Sequence, residues 1–362
     1  MSEVRVYANR GHILPNNHMN LNDLCRVLWS GKNASERLQQ YGSRARYYRV
    51  ADSPQSADIY VLPLLWNYYR QNGLHHQVDH EIQEAAKHGY HLIIFSEGDF
   101  PANLPFGDVI LFERAGYASR RNLNGCRVYA LPAVIDDYVH LYCQGQPVFR
   151  QKKEIPVVGF CGQAAGYWFD FARREGLRRW RKARFILGSS PLEPPPYETT
   201  LLRKRILSLV GKYSGLKTNY LLRTRYRAGY LAPNKDPFHP SRLEFIKNIL
   251  ESDYTVCIRG GGNFSVRFYE TLSLGRIPVF VNTDCILPFD DQLNYRQCCV
   301  WVEQDDIPYI GEIIEDFHAS HTPAQFRELQ EYCRELWLNW LSSDGFYQKL
   351  PKHLLQIRQV AA

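Results

Sequence analysis

Residues 259–270, RGGGNFSVRFYE, gather the side chains and backbone best suited to chemistry. Gly260, Gly261 and Gly262 let the main chain approach a ligand closely. Asn263 and Ser265 are N-cap residue types, so a helix is expected to start here with free N–H groups at its mouth. Arg259 and Arg267 add guanidinium groups, which match phosphate oxygens in shape and charge. Together these features suit a diphosphate. Glu270 follows Arg267 by three residues and shares its helix face. It can accept hydrogen bonds from neighbouring hydroxyls or pair with Arg267 inside the helix. The run is not a Walker loop, because no Lys-Ser/Thr follows the glycines. Nor is it a full G-x-G-x-x-G fingerprint, since Ser265 stands where the third glycine belongs.

The elements that must hold this run are legible on both sides. Residues 254–258 form an apolar stretch of strand length, and 266–274 follow a helical pattern that Gly275 stops. Residues 277–281 read as the next strand. The order RG…S-x-R-x-x-E…G-x-x-PV…LPF is carried by Arg259-Gly260, Ser265, Arg267, Glu270, Gly275, Pro278-Val279 and Leu287-Pro288-Phe289. It closely resembles the donor-binding segment of exostosin-like glycosyltransferases over residues 252–307, and less so elsewhere. The resemblance implies a GT-B-like α/β fold of two Rossmann-like domains facing a cleft, with C-terminal helices. It implies an inverting transferase that moves a sugar from a nucleotide-sugar, UDP-sugars being the expected class, to a glycan or lipid-linked glycan acceptor. Arg259 and Arg267 would hold the diphosphate and Glu270 the donor ribose. The rival reading is a sugar-binding or scaffold protein of the same fold without turnover.

An inverting reaction needs a general base on the acceptor side. Glu97 and Asp99 lead, because they follow a buried-type strand at 91–95, and His12 follows the first strand. Arg223, Arg225 and Arg227 alternate as on an extended segment; Arg223 is a further phosphate candidate, and a solvated edge strand is the other reading. No D-x-D pair is present. Asp136-Asp137, Asp290-Asp291 and Asp305-Asp306 are adjacent pairs. No metal and no bound cofactor are therefore expected, the diphosphate being met by arginines and backbone N–H groups.

Strands alternating with helices predict parallel sheets. The expected domains are 1–150 on the acceptor side, 151–320 on the donor side, and helices over 321–362 packing back across both. The polar stretch 144–154 is the expected linker. Gly162, Gln163 and Gly166 form the turn after a strand at 155–160, residues 67–76 read as a loop, and Ser241 as the cap of a helix at 242–250.

The 362 residues carry a formal charge of +7, which suits anionic ligands but falls short of a nucleic-acid footprint. Nine cysteines show no C-x-x-C pair, so reduced thiols are expected. The first residues lack the apolar run of a signal peptide, and no stretch suits a membrane helix. Animal exostosins are anchored in the secretory pathway; a cytoplasmic chain is expected here. The sequons at Asn33 and Asn263 would then stay unmodified. Residues 169–185 form an arginine-dense helix with two readings, a solvated face or a peripheral contact with an anionic membrane.

Overall fold

The computed structural model describes residues 3–29, 34–41, 45–164, 168–190, 193–225 and 236–359. The chain divides into two compact units. The first holds Met1–Val134, Ile286–Phe289 and Asn339–Ala362; the second holds Ile135–Cys285 and Asp290–Leu338. The break thus falls at residue 134, not 150, and the C-terminal helices are shared out instead of forming a separate piece. The stretch expected to be a linker belongs wholly to the second unit. The Val148 carbonyl accepts from Arg276 at 2.6 Å, and the Arg150 amide donates to Gln330 at 2.9 Å. The Arg150 guanidinium pairs with Asp253. Hydrogen bonds to buried polar side chains, not apolar burial, fasten this segment, so a hydrophobic pattern had nothing to reveal.

In the first unit the strands are β1 (Val4–Tyr7), β2 (Tyr48–Val50), β3 (Ile59–Tyr60), β4 (Leu92–Phe95), β5 (Val109–Glu113), β6 (Asn122–Leu123) and β7 (Cys126–Ala130). They are ordered β2-β1-β3 and β4-β5-β7-β6. A parallel bridge, Val61 to Ile93, joins the two sets. All pairs are parallel except β6 with β7. Helices α1 (Asp23–Trp29), α2 (Ala34–Tyr41), α3 (Trp66–Gln71) and α4 (His75–Lys87) connect them. Helix α3 replaces an expected loop. Its Trp66 and Tyr69 are buried, and those two rings override the local polar composition.

The second unit begins with α5 (Tyr138–Tyr142) and β8 (Val157–Gln163). It continues through α6 (Trp168–Ile186), α7 (Thr199–Lys212), β9 (Lys217–Arg223), α8 (Pro240–Leu250), β10 (Tyr254–Cys257) and α9 (Val266–Ser273). Then come β11 (Ile277–Val281), β12 (Val300–Val302), α10 (Ile310–Ala319) and α11 (Pro323–Leu336). Five parallel strands stand in the order β12-β11-β10-β8-β9. From β8 the chain passes to β9 on one side and then crosses to β10 on the other. The carboxyl ends of β8 and β10 therefore flank a topological switch point, where doubly wound sheets take their ligands. Gly275 ends α9 at φ +63°, and a methyl group there would lie 3.1 Å from the Phe149 ring and 3.2 Å from the Gln330 carbonyl. Helix α12 (Ser343–Gln359) closes the chain within the first unit.

Candidate functional site at the edge of the second sheet

Every residue of β10 is buried, as a central parallel strand requires. Beyond it the chain turns, and the Gly260 amide donates to the Phe264 carbonyl at 3.2 Å. Asn263 does not cap the helix that follows. Its amide donates to the Asp284 carbonyl at 2.9 Å, and its oxygen accepts from Thr283 at 2.9 Å, tying the glycine turn to the segment after β11. Being fully buried, Asn263 is closed to glycosylation; Asn33 lies outside the described residues. Ser265 is the N-cap of α9 by position and extended backbone, yet its hydroxyl makes no capping bond. Its carbonyl accepts from the Phe268 amide at 3.1 Å. The first amides of α9 thus receive no bond from the N-cap side chain.

Arg267, in the first turn of α9, reaches back to the switch point. Its Nη2 donates to the Cys161 carbonyl on β8 at 2.7 Å, and its guanidinium carbon stands 4.2 Å from the centre of the Phe160 ring. Nε has no hydrogen-bond partner among the described residues. Gly162 makes room: a methyl group there would sit 2.8 Å from Nη2. Burial pulls the arginine's pKa below its ordinary value. Arg267 as a whole is half-buried, whereas Arg259 is buried, its guanidinium 5.9 Å from the Tyr197 ring and its carbonyl accepting from Arg203 at 2.9 Å. Neither arginine is an exposed cation at a helix end.

Glu270 is buried and does not pair with Arg267. Its Oε1 accepts from the Tyr138 hydroxyl at 2.9 Å and from Arg242 Nη1 at 3.0 Å. Arg242 in turn lies 4.7 Å from the Tyr138 ring. Among the described residues both bonds fall on the same carboxylate oxygen, an arrangement that fixes the carboxylate and directs Oε2 elsewhere. Arg242, Tyr138 and Arg203 had no signal in the sequence, because each comes from a different helix far from the glycine turn. Helix α8, which carries Arg242, is capped by His239 and not by Ser241; the imidazole accepts the Ser241 amide.

Other expected residues fall elsewhere. Arg223, the last residue of the edge strand β9, donates to Glu244 at 2.8 Å and to the Ser241 carbonyl at 3.0 Å. It is held as an ion pair on α8, so its expected phosphate role gives way to a structural one. Arg225 is exposed beyond the strand. Arg227 and Gly166 lie outside the described residues.

The three base candidates all follow carboxyl ends of strands in the first unit. Glu97 is half-buried after β4; Asn67 holds its amide and carbonyl, and Arg114 stands 3.5 Å from its carboxylate. Asp99 is exposed two residues on. His12 is fully engaged. Its Nδ1 meets the Tyr69 hydroxyl at 2.9 Å and its Nε2 meets Glu81 at 3.2 Å. With no ring nitrogen left for a substrate proton, His12 is a structural histidine. Burial pushes Glu81 up, but His12, Tyr60 and Asn9 donate to it and hold its pKa at about 2. A fourth carboxyl, Glu113, ends β5 beside the Glu97 segment; it is buried, accepts the Ala102 amide at 2.7 Å, and burial pushes its pKa up to about 7. The signal for it was a glutamate closing a wholly apolar strand. Among the described residues no group of three or more His, Cys, Asp or Glu could hold a metal ion. Asp137 caps α5 and accepts from Arg334.

Comparison with known proteins bears on this edge of the sheet. A protein-family model, the Exostosin GT47 domain, matches residues 193–317, which include Arg203, Arg242, Arg259, Arg267 and Glu270. The chain is 26% identical over 164 residues to the probable glucuronoxylan glucuronosyltransferase IRX7 of Arabidopsis thaliana, covering 44% of this chain and 33% of that protein. It is 28% identical over 116 residues to the Exostosin-1 homolog of Caenorhabditis elegans, covering 32% and 28%. The matched segment thus spans a third or less of these curated relatives. Among solved structures, a glycosyltransferase from Rickettsia africae aligns over 98% of both chains at 10% identity, with a TM-score of 0.36. Anabaena Alr3699/HepE, solved with UDP and glucose, aligns over 97% of this chain and 99% of its own at 8% identity and a TM-score of 0.36. Residues 193–317, which hold the glycine turn and the helices that surround it, are thus similar to the Exostosin GT47 domain.

Proposed function

We propose that the chain is an inverting glycosyltransferase whose second unit binds a nucleoside-diphosphate sugar, of the UDP class, at the switch point. The observation that carries this reading is Arg267, stacked on Phe160 and aligned by the Cys161 carbonyl at the mouth of an uncapped helix. In this reading Arg267 and the first amides of α9 meet the diphosphate, and Glu270, held by Tyr138 and Arg242, accepts from the ribose hydroxyls. A general base takes the proton of an acceptor hydroxyl. The acceptor oxygen attacks the anomeric carbon, the bond to the diphosphate breaks, and the added charge on the diphosphate is stabilised by the guanidinium and helix amides. The acceptor is a glycan. Turnover is expected to persist in a chelator, because fixed cations replace a metal in this scheme. The nine cysteines are free thiols, which supports work in a reducing compartment.

Calorimetric titration with UDP, followed by a panel of nucleotide-sugars, tests the assignment. Arg267→Ala is expected to weaken UDP binding about 10- to 100-fold, the range for a lost charge-assisted bond. Arg173→Ala, on α6, is expected to leave it unchanged. Equal losses would overturn the assignment, and UDP binding without transfer or donor hydrolysis would favour a silent sugar-binding protein.

A further inference from the structure

Helix α6 wears its amphipathic pattern inside out. The half-buried side holds Arg174, Glu175, Arg178, Lys182 and Phe185 around buried Phe171. The charges on that side are matched: Arg178 with Glu175, Lys182 with Glu193, and Arg174 with the Thr200 hydroxyl. On the opposite side, helical geometry brings Phe169, Leu177, Trp180 and Leu187 into one arc. Leu187 continues the helix by donating to the Ala183 carbonyl at 2.9 Å. These four are 55%, 44%, 54% and 80% exposed. Small residues, Ala172, Gly176 and Ala183, occupy the rest of the arc. Arg173 and Arg184 stand within it, with Arg184 5.0 Å from the Trp180 ring, and Arg179 and Arg181 flank it. The helix holds seven basic residues against two acidic ones. A merely solvated face would show charges alone; this one shows a tryptophan and three large apolar side chains set among arginines.

We propose that this face of α6 is an interfacial anchor that lies flat on an anionic lipid bilayer. Tryptophan suits the headgroup level, Phe169, Leu177 and Leu187 suit the acyl boundary, and the arginines reach lipid phosphates while their stems stay apolar. Charge decides the occupant. A second copy docking the same face would set Arg173, Arg179, Arg181 and Arg184 against themselves, whereas an anionic surface complements all four. No described helix is long and apolar enough to cross a membrane, so the contact is peripheral as far as α6 is concerned. The proposal is independent of donor binding.

Flotation of the full chain tests it, using vesicles of phosphatidylcholine alone and vesicles with about 30% phosphatidylglycerol. Binding is expected to the anionic vesicles only and to fade at about 0.5 M salt. Arg173→Ala combined with Arg184→Ala should weaken binding about 25-fold, at about fivefold per arginine. Trp180→Ser combined with Leu177→Ser should weaken it about tenfold. Both pairs are exposed, so melting temperature should not move. Four results would overturn the proposal: no flotation on anionic vesicles, equal flotation on phosphatidylcholine, undiminished binding by the serine pair, or a sedimenting dimer that the serine pair dissolves.

Discussion

Glu113 offers a prediction whose sign and size follow from its surroundings. The carboxyl closes β5, is 5% exposed, and accepts one amide, from Ala102. Burial raises its pKa from 4.5 to about 7. Between those values the folded chain binds a proton that the unfolded chain has released. Stability is therefore fully present below about pH 4.5, declines as pH rises, and levels off above about pH 7. Two and a half units correspond to about 3 kcal/mol. Glu113→Gln keeps an acceptor for Ala102 and removes the titration. The stability of the variant relative to the parent should thus rise by about 3 kcal/mol between pH 4.5 and 8. In melting temperature that is about 6–12 °C for a unit of this size. Urea unfolding at several pH values, followed by near-ultraviolet circular dichroism, reads the difference directly. A difference that stays flat from pH 4.5 to 8 would refute the assignment of a neutral buried carboxyl.

Four other substitutions probe the donor site and the buried Glu81. Gly162→Ala should lower the melting temperature by a few degrees while leaving the chain folded, because Gly162 sits at φ +157°, where an L side chain is strained, and its methyl would meet Arg267 Nη2 at 2.8 Å. It should still weaken UDP binding about tenfold by misplacing that guanidinium; calorimetry showing native affinity would count against Arg267. Arg242→Ala should raise the KM for a UDP-sugar several-fold, and Tyr138→Phe less so, since each removes one of two donors to Glu270. Glu81→Gln should destabilise the protein by about 3 kcal/mol at pH 7. The folded pKa of Glu81 is lowered to about 2, so its contribution is present above about pH 4.5 and fades as pH falls toward 2. A gap between variant and parent that ignores acid would refute the buried-carboxylate reading of Glu81.

The glycine turn and its two flanking strands were legible because everything that defines them is contiguous. A buried strand, a turn, a helix opening after Ser265 and a terminating Gly275 each leave a local mark. What Arg267 touches was not legible. Phe160, Cys161 and Gly162 lie more than a hundred residues earlier, and only the parallel pairing of β8 with β10 brings them near. The same applies to Glu270, whose natural partner by spacing is Arg267 but whose actual donors come from α5 and α8. His12 was a base candidate only through its place in the loop after the first strand; its two ring contacts are long-range and invisible locally. The 144–154 stretch misled for a related reason, being secured by Arg276 and Gln330 and not by any apolar stripe.

The Leu287-Pro288-Phe289 triplet belongs to the resemblance pattern, yet it is counted with the first unit, where the Phe289 ring packs edge-on or tilted against Trp340, Phe346 and His353. The first unit is therefore assembled from three separate lengths of chain, the last of them beginning at Asn339. No single scission can give two self-sufficient halves: a fragment ending at residue 134 would forfeit an aromatic plug and its closing helix. During synthesis the first unit cannot complete its interior until the segment from Asn339 onward has emerged, which comes after the whole of the second unit has been made.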